Sequence, residues 1–494
     1  MPGSLLFRPW TAGLAASLAA SFALFTSVAP AQTPDAAAPS GPLAQSTPEV
    51  GVTKSADQGI SDLRREVEEL KNLVHQLQDQ IAKGAPAAQL APSTVAAESQ
   101  PPAAGVAETP AAASPKVAAD LLRGMTINAM LDTYYEYNFN SPVGRVNYLR
   151  AYDVSSNSFS LNQADLVVES AADPAAGKRL GMRLDLQYGQ ATSTLQGNPA
   201  NELRPDVYRN IFQAYGTYVF PVEKGLTVDF GKWASSLGLE GNYTKDQLNY
   251  SRSYWFNYLP FYHTGLRAKL AVTDQVALNA WITNGTEQSE PFNNYKDWLL
   301  GLLLTPSSTV SWTFNYYQGQ EHPDVLYLQN PTTAQQQSLP NEQGTYILPI
   351  TNPPDGKLQI TDSYLNWQVS KVLTLAAEAD YVQQRLYSYS SPDRVEGGAF
   401  YVGYQLSSAF AFAARVEYLA DIGGLFSGTT QYLKEATLTL DYRPSDGFLV
   451  RGEFRRDQSN RRYFLGHVLD DLQESQPTLG VGLVWWLGQK EGAW

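Results

Sequence analysis

The chain has 494 residues, a net charge of −13 and a pI near 4.9, and it contains no cysteine. The acidic balance argues against nucleic acid as a partner, and the lack of cysteine excludes disulfides, cysteine-based zinc clusters and cysteine nucleophiles. Mean hydropathy is −0.29 and aromatic residues make up 12%. This mean hydropathy is low for a helical membrane protein but normal for a membrane barrel, in which half of each strand faces water. The high aromatic content fits the aromatic girdles of such a barrel, although a soluble β-protein rich in Tyr could also show it.

Residues 1–31 have the features of a secretory signal peptide. Arg8 supplies a positive charge, an apolar stretch follows at 14–28, and Ala29-Pro30-Ala31 gives a small-x-small cleavage pattern. A membrane anchor is the alternative, but the apolar stretch is shorter than the roughly 20 residues that a spanning helix needs. No later segment has an apolar run of that length, so residence in a membrane would have to come from strands.

Residues 56–84 predict a coiled-coil helix. Seven apolar residues follow a 3-4 heptad spacing: Ile60, Leu63, Val67, Leu70, Val74, Leu77 and Ile81. β-Branched residues at position a and Leu at position d favour a parallel dimer. A single amphipathic helix that packs on another surface is the alternative. Residues 32–55 before it are predicted to be disordered, and the Ala/Pro-rich residues 85–117 after it to be a flexible linker.

Residues 118–494 predict an all-β fold, a transmembrane antiparallel up-and-down β-barrel of about sixteen strands. Segments of about ten alternating residues are joined by connections that are short and long in turn. In the clearest segment Val310, Trp312, Phe314 and Tyr316 share one face. A soluble β-sandwich would turn such a face inward. Because the face recurs from strand to strand and is rich in aromatic residues, lipid is the better partner.

The predicted strands alternate with short turns and long polar loops. We place them at 125–138, 159–170, 178–189, 206–220, 225–237, 260–272, 275–284, 295–305, 308–320, 358–370, 371–385, 397–407, 408–420, 432–444, 447–458 and 476–487. Short turns belong to the periplasm and long loops to the outside of the cell. Both ends of the barrel segment then lie on the periplasmic side, together with the linker and coil.

A barrel of this size is expected to enclose a water-filled lumen lined by charges of both signs. The lumen-wall candidates are Arg183, Asp185, Arg267, Lys269, Arg415, Glu417, Arg451, Glu453 and Arg455. Further inward-facing charges are expected at Asp132, Glu136, Asp165, Glu169, Arg209, Asp229, Glu378 and Asp380. Neither sign clearly dominates, so the sequence assigns no preference for cations or anions.

The third long loop, 238–259, is the candidate for the narrowest point of the lumen. Its charged residues are Glu240, Lys245, Asp246 and Arg252, and they are interleaved with five Tyr and Trp residues. Such apolar content is unusual for a loop that faces only water. By analogy with general porins, a third loop folded into the lumen would form a constriction. A rim loop that contacts a neighbouring subunit or lipopolysaccharide is the alternative.

Several short runs resemble the family of OmpL-like beta-barrel porins. They are Ser160-Leu161-Asn162-Gln163-Ala164, Phe230-Gly231-Lys232-Trp233, Asn249-Tyr250-Ser251-Arg252-Ser253, Pro260-Phe261-Tyr262-His263-Thr264-Gly265-Leu266-Arg267-Ala268 and Asn279-Ala280-Trp281-Ile282-Thr283-Asn284-Gly285. The resemblance covers about 125–494 and implies an outer-membrane pore for small solutes. The coil and linker are also similar to the front end of some phosphate-selective porins, but the mixed lumen does not supply a dense basic ladder for phosphate.

The sequence favours an outer-membrane porin for passive diffusion of small hydrophilic solutes, with the N-terminal segment in the periplasm. The alternative is a structural envelope tether, in which the barrel is an anchor and the coil a periplasmic spacer that contacts the cell wall. The expected partners are outer-membrane lipid, lipopolysaccharide, small solutes and further copies of this chain. The heptads favour a dimer whereas porins are commonly trimers, so the oligomer size stays open. No cofactor or metal ion is predicted.

An enzyme is not expected. The chain has four histidines, at positions 75, 263, 322 and 467, and no serine or paired carboxylate lies beside them at a catalytic spacing. A gated receptor for metal complexes is also not favoured. It would need a globular plug before the barrel, where the sequence offers only coil and linker.

Overall fold

The computed structural model describes residues 124–195, 202, 204–328, 332–338, 341–342, 345–490 and 492–494. Within them, sixteen strands form one closed antiparallel barrel in which the last strand pairs with the first. This confirms the predicted barrel and its strand number. The predicted signal peptide, disordered segment, coiled coil and linker lie outside the described residues.

The barrel strands are numbered β1–β16 along the chain. They are β1 Thr126–Asn138, β2 Ser158–Ser170, β3 Leu180–Tyr188, β4 Ile211–Phe220, β5 Leu226–Ala234, β6 Tyr262–Ala271, β7 Val276–Thr283, β8 Asp297–Ser307, β9 Val310–Gly319, β10 Leu358–Gln368, β11 Leu373–Gln384, β12 Asp393–Gln405, β13 Phe410–Ile422, β14 Gln431–Ser445, β15 Phe448–Ser459 and β16 Ser475–Gly488. Each strand pairs with its neighbour in the sequence, so the topology is a simple meander.

The connections contain only short elements. The helices are α1 Gln190–Leu195, α2 Pro205–Tyr208, α3 Tyr254–Tyr258 and α4 Thr333–Ser338, with 3-10 turns at Val143–Arg145, Pro174–Ala176 and Thr244–Asp246. Small sheets outside the barrel contain Val325–Leu328, Asn341–Glu342 and Thr345–Pro349, and Phe464–Leu465 with Leu472–Gln473. Among the described residues, none of these helices is long and apolar enough to cross a membrane.

Alternation along the strands sets the two faces of the barrel wall. In β14, Glu435, Thr437 and Thr439 are buried, whereas Leu438 and Leu440 are 52% and 49% exposed. The polar face therefore points into the barrel and the apolar face points out, the reverse of a soluble sandwich. This orientation suits a barrel whose outer surface lies in lipid.

One predicted strand begins later than expected, and this corrects the placement of Arg209. The segment 206–220 was expected to be a strand throughout, but Pro205 opens α2 and β4 begins only at Ile211. Proline has the backbone angle of a first helical residue, which favours a helical turn at this point. Arg209 consequently lies in a loop, 3.4 Å from a carboxylate oxygen of Asp206, and is not part of the strand wall.

Candidate pore constriction

Eight long loops connect the strands at one end of the barrel, and seven short turns connect them at the other. The loops are L1 139–157, L2 189–210, L3 235–261, L4 284–296, L5 320–357, L6 385–392, L7 423–430 and L8 460–474. L3 joins β5 to β6. It enters the lumen, because its groups bond with inward-facing side chains of β1–β3 on one side and of β10–β15 on the other.

Near its C-terminal end, L3 contains a single helical turn, α3, that packs inside the barrel. The Ser253 side chain caps it by accepting a hydrogen bond from the Phe256 backbone N–H at 2.9 Å. The Glu417 carboxylate of β13 accepts from the backbone N–H groups of Tyr254 and Trp255, at 3.0 and 3.1 Å. One turn of helix is unstable alone. The buried Trp255 side chain and this carboxylate at the positive helix end hold it in place.

Arginines of β15 attach L3 to the wall through its backbone carbonyls. Arg451 donates to the carbonyl oxygens of Thr244 at 3.1 Å and Gln247 at 2.7 Å, and it also pairs with Asp441. Arg455 donates to the carbonyl oxygen of Arg252 at 2.5 Å. These charged hydrogen bonds are stronger than neutral ones. Both guanidinium groups therefore fix the path of the loop.

Two further charged side chains continue this attachment on β13 and β15. Arg415 pairs with Glu240 of L3 at 2.7 Å and donates to the Ser251 carbonyl oxygen at 2.8 Å. The Glu453 carboxylate accepts from the backbone N–H groups of Tyr250 and Ser251. The inward-facing residues of β13, β14 and β15 that L3 covers are called the anchored wall below. They are Arg415, Glu417, Glu435, Thr437, Thr439, Asp441, Arg451, Glu453, Arg455 and Asp457.

The opposite side of L3 contacts β1, β3 and β16. The Tyr250 hydroxyl and the Thr244 hydroxyl both donate to the Asp132 carboxylate, at 2.9 and 2.7 Å, and the Tyr243 hydroxyl donates to Asp185. Gly482 of β16 makes room for the Tyr250 ring, since a Cβ there would lie 2.4 Å from a ring carbon. L3 thus crosses the lumen and is fixed at both sides.

The four charged residues predicted for the constriction occupy different positions in L3. Glu240 is tied to Arg415, and Arg252 is fully buried, where it donates to the carbonyl oxygens of Gly241 and Tyr250. Asp246 is exposed at the loop tip. Beside it the Lys245 ammonium donates to the Gly492 carbonyl oxygen at 2.8 Å and lies over the Trp494 ring. Burial lowers the pKa of Lys245.

The C-terminal residues thereby contact the tip of L3. The Trp494 backbone N–H donates to Asp246 at 3.1 Å, and its ring packs edge-on against the Tyr243 ring at 5.7 Å. The tail follows the end of β16 at Gly488, so it reaches the loop tip from the turn end of the barrel. A terminal Trp in this position supports the loop rather than continuing the strand.

L1 also folds inward, a feature that the sequence did not indicate. Arg150 pairs with Asp457 of β15 at 2.7 Å and with Asp153 of its own loop, and it is 5% exposed. The Tyr152 hydroxyl donates to the Asn242 side chain of L3 at 2.5 Å. The polar composition of L1 resembles that of the other loops, so the sequence contains no local signal that L1 folds inward.

The wall formed by β5 and β6 is less covered than the anchored wall. Arg267 pairs with Asp229 at 2.7 Å, yet its side chain is 24% exposed, and Lys269 is exposed. On the neighbouring β3, Arg183 pairs with Asp185 at 2.9 Å, but both are buried and Asp185 accepts from the Tyr243 hydroxyl of L3. Asp229, Arg267 and Lys269 are called the open wall. A cavity of about 260 Å³ lies against its turn end, lined among others by Arg183 and Asp229.

A second cavity of about 230 Å³ lies on the other side of L3, also toward the turn end. Leu248 of L3, Thr374 of β11 and Gly403 of β12 are among its lining residues. Gly403 faces Leu248 so closely that a Cβ would lie 2.8 Å from the leucine methyl carbon. L3 therefore borders the second cavity directly through Leu248.

Solved structures with a similar architecture are outer-membrane porins. The anion-selective porin from Comamonas acidovorans is 9% identical, with a TM-score of 0.47, over 74% of this chain and 99% of that chain. OmpT of Vibrio cholerae in a trimer form is 9% identical, with a TM-score of 0.46, over the same shares. The channel DcaP of Acinetobacter baumannii is 10% identical, with a TM-score of 0.45, over 74% and 98%.

Among curated proteins, no sequence matches this chain. A family model does match, over residues 124–486, and its description reads "Putative beta-barrel porin-2, OmpL-like". The match covers most of the chain and all sixteen barrel strands except the last residues of β16. The chain therefore belongs to the OmpL-like beta-barrel porin family of the bacterial outer membrane.

Proposed function

We propose that the barrel is a channel for passive diffusion of small hydrophilic solutes and that L3 forms its constriction. The observation that carries this proposal is the position of L3, which crosses the lumen and is bonded to both sides of the wall. A loop held in this way narrows a pore without closing the barrel ends. Because its buried contacts keep the loop in place, the opening beside it has a fixed width. Solutes wider than this opening are excluded.

Solutes pass along the open wall in this proposal. The charges of the anchored wall bond with L3 and with one another, so they meet solute less. On the open wall, Arg267 and Lys269 keep contact with water. Lys269 forms no ion pair within the described part of the chain. Lumen charges that remain exposed are the ones that set ion preference.

Single-channel recording in a planar bilayer tests the channel directly. The refolded full-length protein is expected to give stable open steps. Its reversal potential under a salt gradient reports the sign of the exposed lumen charges. Correct insertion is checked by the shift in electrophoretic mobility on heating that folded barrels give. Protein that passes this check but stays silent in the bilayer would contradict diffusion.

A structural tether is the second candidate, and the heptads of residues 56–84 favour it. We propose that this segment lies in the periplasm and joins copies of the chain into a homo-oligomer. The outer surface of the barrel contacts lipid and lipopolysaccharide, and the linker gives the coil the reach to contact the cell wall. Deletion of residues 32–117 separates the two roles. Conductance that survives together with a weakened envelope would assign tethering to this segment.

A further inference from the structure

Three carboxylates lie together on the inward face of β10 and β11, next to the start of L3. Asp362, Glu378 and Asp380 each offer an oxygen, and these oxygens all lie within 4.8 Å of one another. Asp362 and Asp380 are directly opposite each other in the strand pairing. All three residues are at most 3% exposed. They are called the carboxylate triad below.

Within the part of the chain that the structure describes, only neutral groups donate to the carboxylate triad. Asp362 accepts from the Gly238 backbone N–H at 3.0 Å and from the Asn315 amide at 2.7 Å. Glu378 accepts from the Leu239 backbone N–H at 3.0 Å and the Tyr401 hydroxyl at 3.3 Å.

Asp380 gives evidence for a ligand that is separate from the clustering of the three carboxylates. Both of its carboxylate oxygens are buried, and among the described residues no N–H or hydroxyl group donates to them, while the Asp362 carboxyl lies close enough to share a proton with Asp380. Among the described residues, no Lys, Arg or His forms an ion pair with any member of the triad. A buried carboxylate with neither donor nor counter-charge is strongly unfavourable.

Some other buried carboxylates of the lumen have an arginine partner, whereas Asp165 of β2 resembles Asp380 in having none among the described residues. Asp441 pairs with Arg451, and Asp457 pairs with Arg150 and Arg455. The triad brings three buried carboxylates together, and among the described residues no arginine balances their charge. Its charge must therefore be balanced by bound protons or by a cation.

We propose that the carboxylate triad binds one hard divalent cation and that Ca²⁺ is the best match. Ca²⁺ takes six to eight oxygen ligands, and carboxylates bind it through one or both oxygens. Three carboxylates supply three to six of these ligands, and water supplies the rest. Mg²⁺ fits less well because it requires a near-ideal octahedron.

The cation would also stabilise the start of L3. Asp362 and Glu378 hold the backbone of Gly238 and Leu239, so a cation that fixes these carboxylates also fixes the first residues of the constriction loop. Carboxylates repelling one another without the cation would leave this end of the loop less rigid. Binding itself does not depend on conduction, so the inference goes beyond the proposed channel function.

Terbium luminescence and calorimetry test the site on the refolded full-length protein in detergent after removal of metals with EDTA. Tb³⁺ replaces Ca²⁺ at oxygen sites, and the Tyr401 ring next to Glu378 is positioned to sensitise its emission. We expect one saturable site from which Ca²⁺ displaces Tb³⁺. In Asp380→Asn the affinity is expected to fall more than roughly tenfold, because one charged ligand is lost.

Asp229→Asn is the matched control, because Asp229 is a lumen carboxylate of the open wall with an arginine partner. We expect it to bind Ca²⁺ as the unmodified protein does. Ca²⁺ is also expected to raise the thermal unfolding midpoint of the unmodified protein and of Asp229→Asn, but not that of Asp380→Asn. Asp380→Asn removes no protein hydrogen bond, so it is expected to fold, and heat-shifted mobility checks this.

Two results would overturn the inference. One is the absence of saturable Ca²⁺ binding at millimolar concentration, which would mean that protons balance the triad. The other is equal Ca²⁺ affinity in Asp380→Asn and the unmodified protein, which would place the cation elsewhere. Luminescence and calorimetry do not require an open channel, so failure of the conductance test does not affect this inference. Failure of the binding test likewise does not affect the proposed channel function.

Discussion

The anchored wall and the open wall are built from the same residue types but behave differently. Both present arginines and acids on the inward face of ordinary antiparallel strands. On the anchored wall, Arg451 and Arg455 are at most 1% exposed and hold backbone carbonyls of L3. On the open wall, the Arg267 side chain retains 24% exposure and pairs with Asp229 on the neighbouring strand. The contact with L3, and not the strand sequence, separates charges that are fully buried from charges that keep contact with water.

The largest expected effect follows from loosening the anchored wall. In Arg451→Leu, Asp441 and several carbonyls of L3 lose their partner, and removal of one member of a buried pair costs about 3–5 kcal/mol. We expect L3 to detach and single-channel conductance to rise about twofold or more. Arg456→Leu on the outward face of β15 is the control. Equal conductance in both variants would show that L3 does not limit flow.

Charge reversal on the open wall is expected to change selectivity and to leave conductance similar. Lys269→Glu replaces an exposed positive charge by a negative one. The cation-to-anion permeability ratio is expected to rise by about twofold or more in reversal-potential measurements. Lys434→Glu, on the outward face of β14, is the matched control. If the permeability ratio of Lys269→Glu is unchanged, solutes do not pass along the open wall.

A smaller effect is expected where L3 packs against a glycine. Gly482→Val pushes against the Tyr250 ring, and overpacking of this kind costs about 1–3 kcal/mol. The Tyr250 hydrogen bond to Asp132 should weaken, which lowers the urea midpoint of unfolding and increases open-channel noise. Gly452→Val on β15, where the nearest atom to a new Cβ is 4.0 Å away, is the control. If Gly482→Val shows unchanged open-channel noise and an unchanged urea midpoint, the loop does not pack closely against this position.

The smallest effect concerns pH and a loop outside both walls. Burial raises the pKa of Glu287 in L4 from 4.5 to about 7. Between these values the folded state keeps a proton that the unfolded chain releases, so the free energy of unfolding falls as pH rises from 5 to 8. Urea unfolding in detergent at pH 5 and pH 8 measures the difference. Glu287→Gln should reduce the difference in unfolding free energy between pH 5 and pH 8. Asp274→Asn, at an exposed carboxylate, is the control and should leave this difference unchanged.

The fold could be predicted from sequence because its signals are local. Alternation in segments such as 310–316 gave both the strands and their outward face, and turn residues such as Asp446 and Gly447 marked the hairpins. A positive φ of 77° at Gly447 shows why that turn contains glycine. The boundary error at Arg209 arose because a single proline-led helical turn interrupts an otherwise strand-like composition.

The candidate site could be predicted only in part, because its contacts join residues far apart in sequence. Aromatic content singled out L3, and alternation placed Arg415, Arg451 and Glu453 on the inward face. Alternation does not tell which inward charges a loop will cover. It also does not show that Arg150 of L1 reaches Asp457, some 307 positions away. The carboxylate triad depends in the same way on the alignment of two strands and the start of L3.

The attachment of L3 also sets an order of events in folding. Arg451 lies 207 positions after Thr244, whose carbonyl oxygen it holds, and Trp494 contacts Asp246 across 248 positions. L3 is synthesised early, but its partners on β15, β16 and the C-terminal tail follow only at the end of the chain. A barrel caught during assembly would have an unseated loop and a wide, unselective opening. In the proposed channel, closure of the last strands against β1 is therefore the step that would narrow the pore.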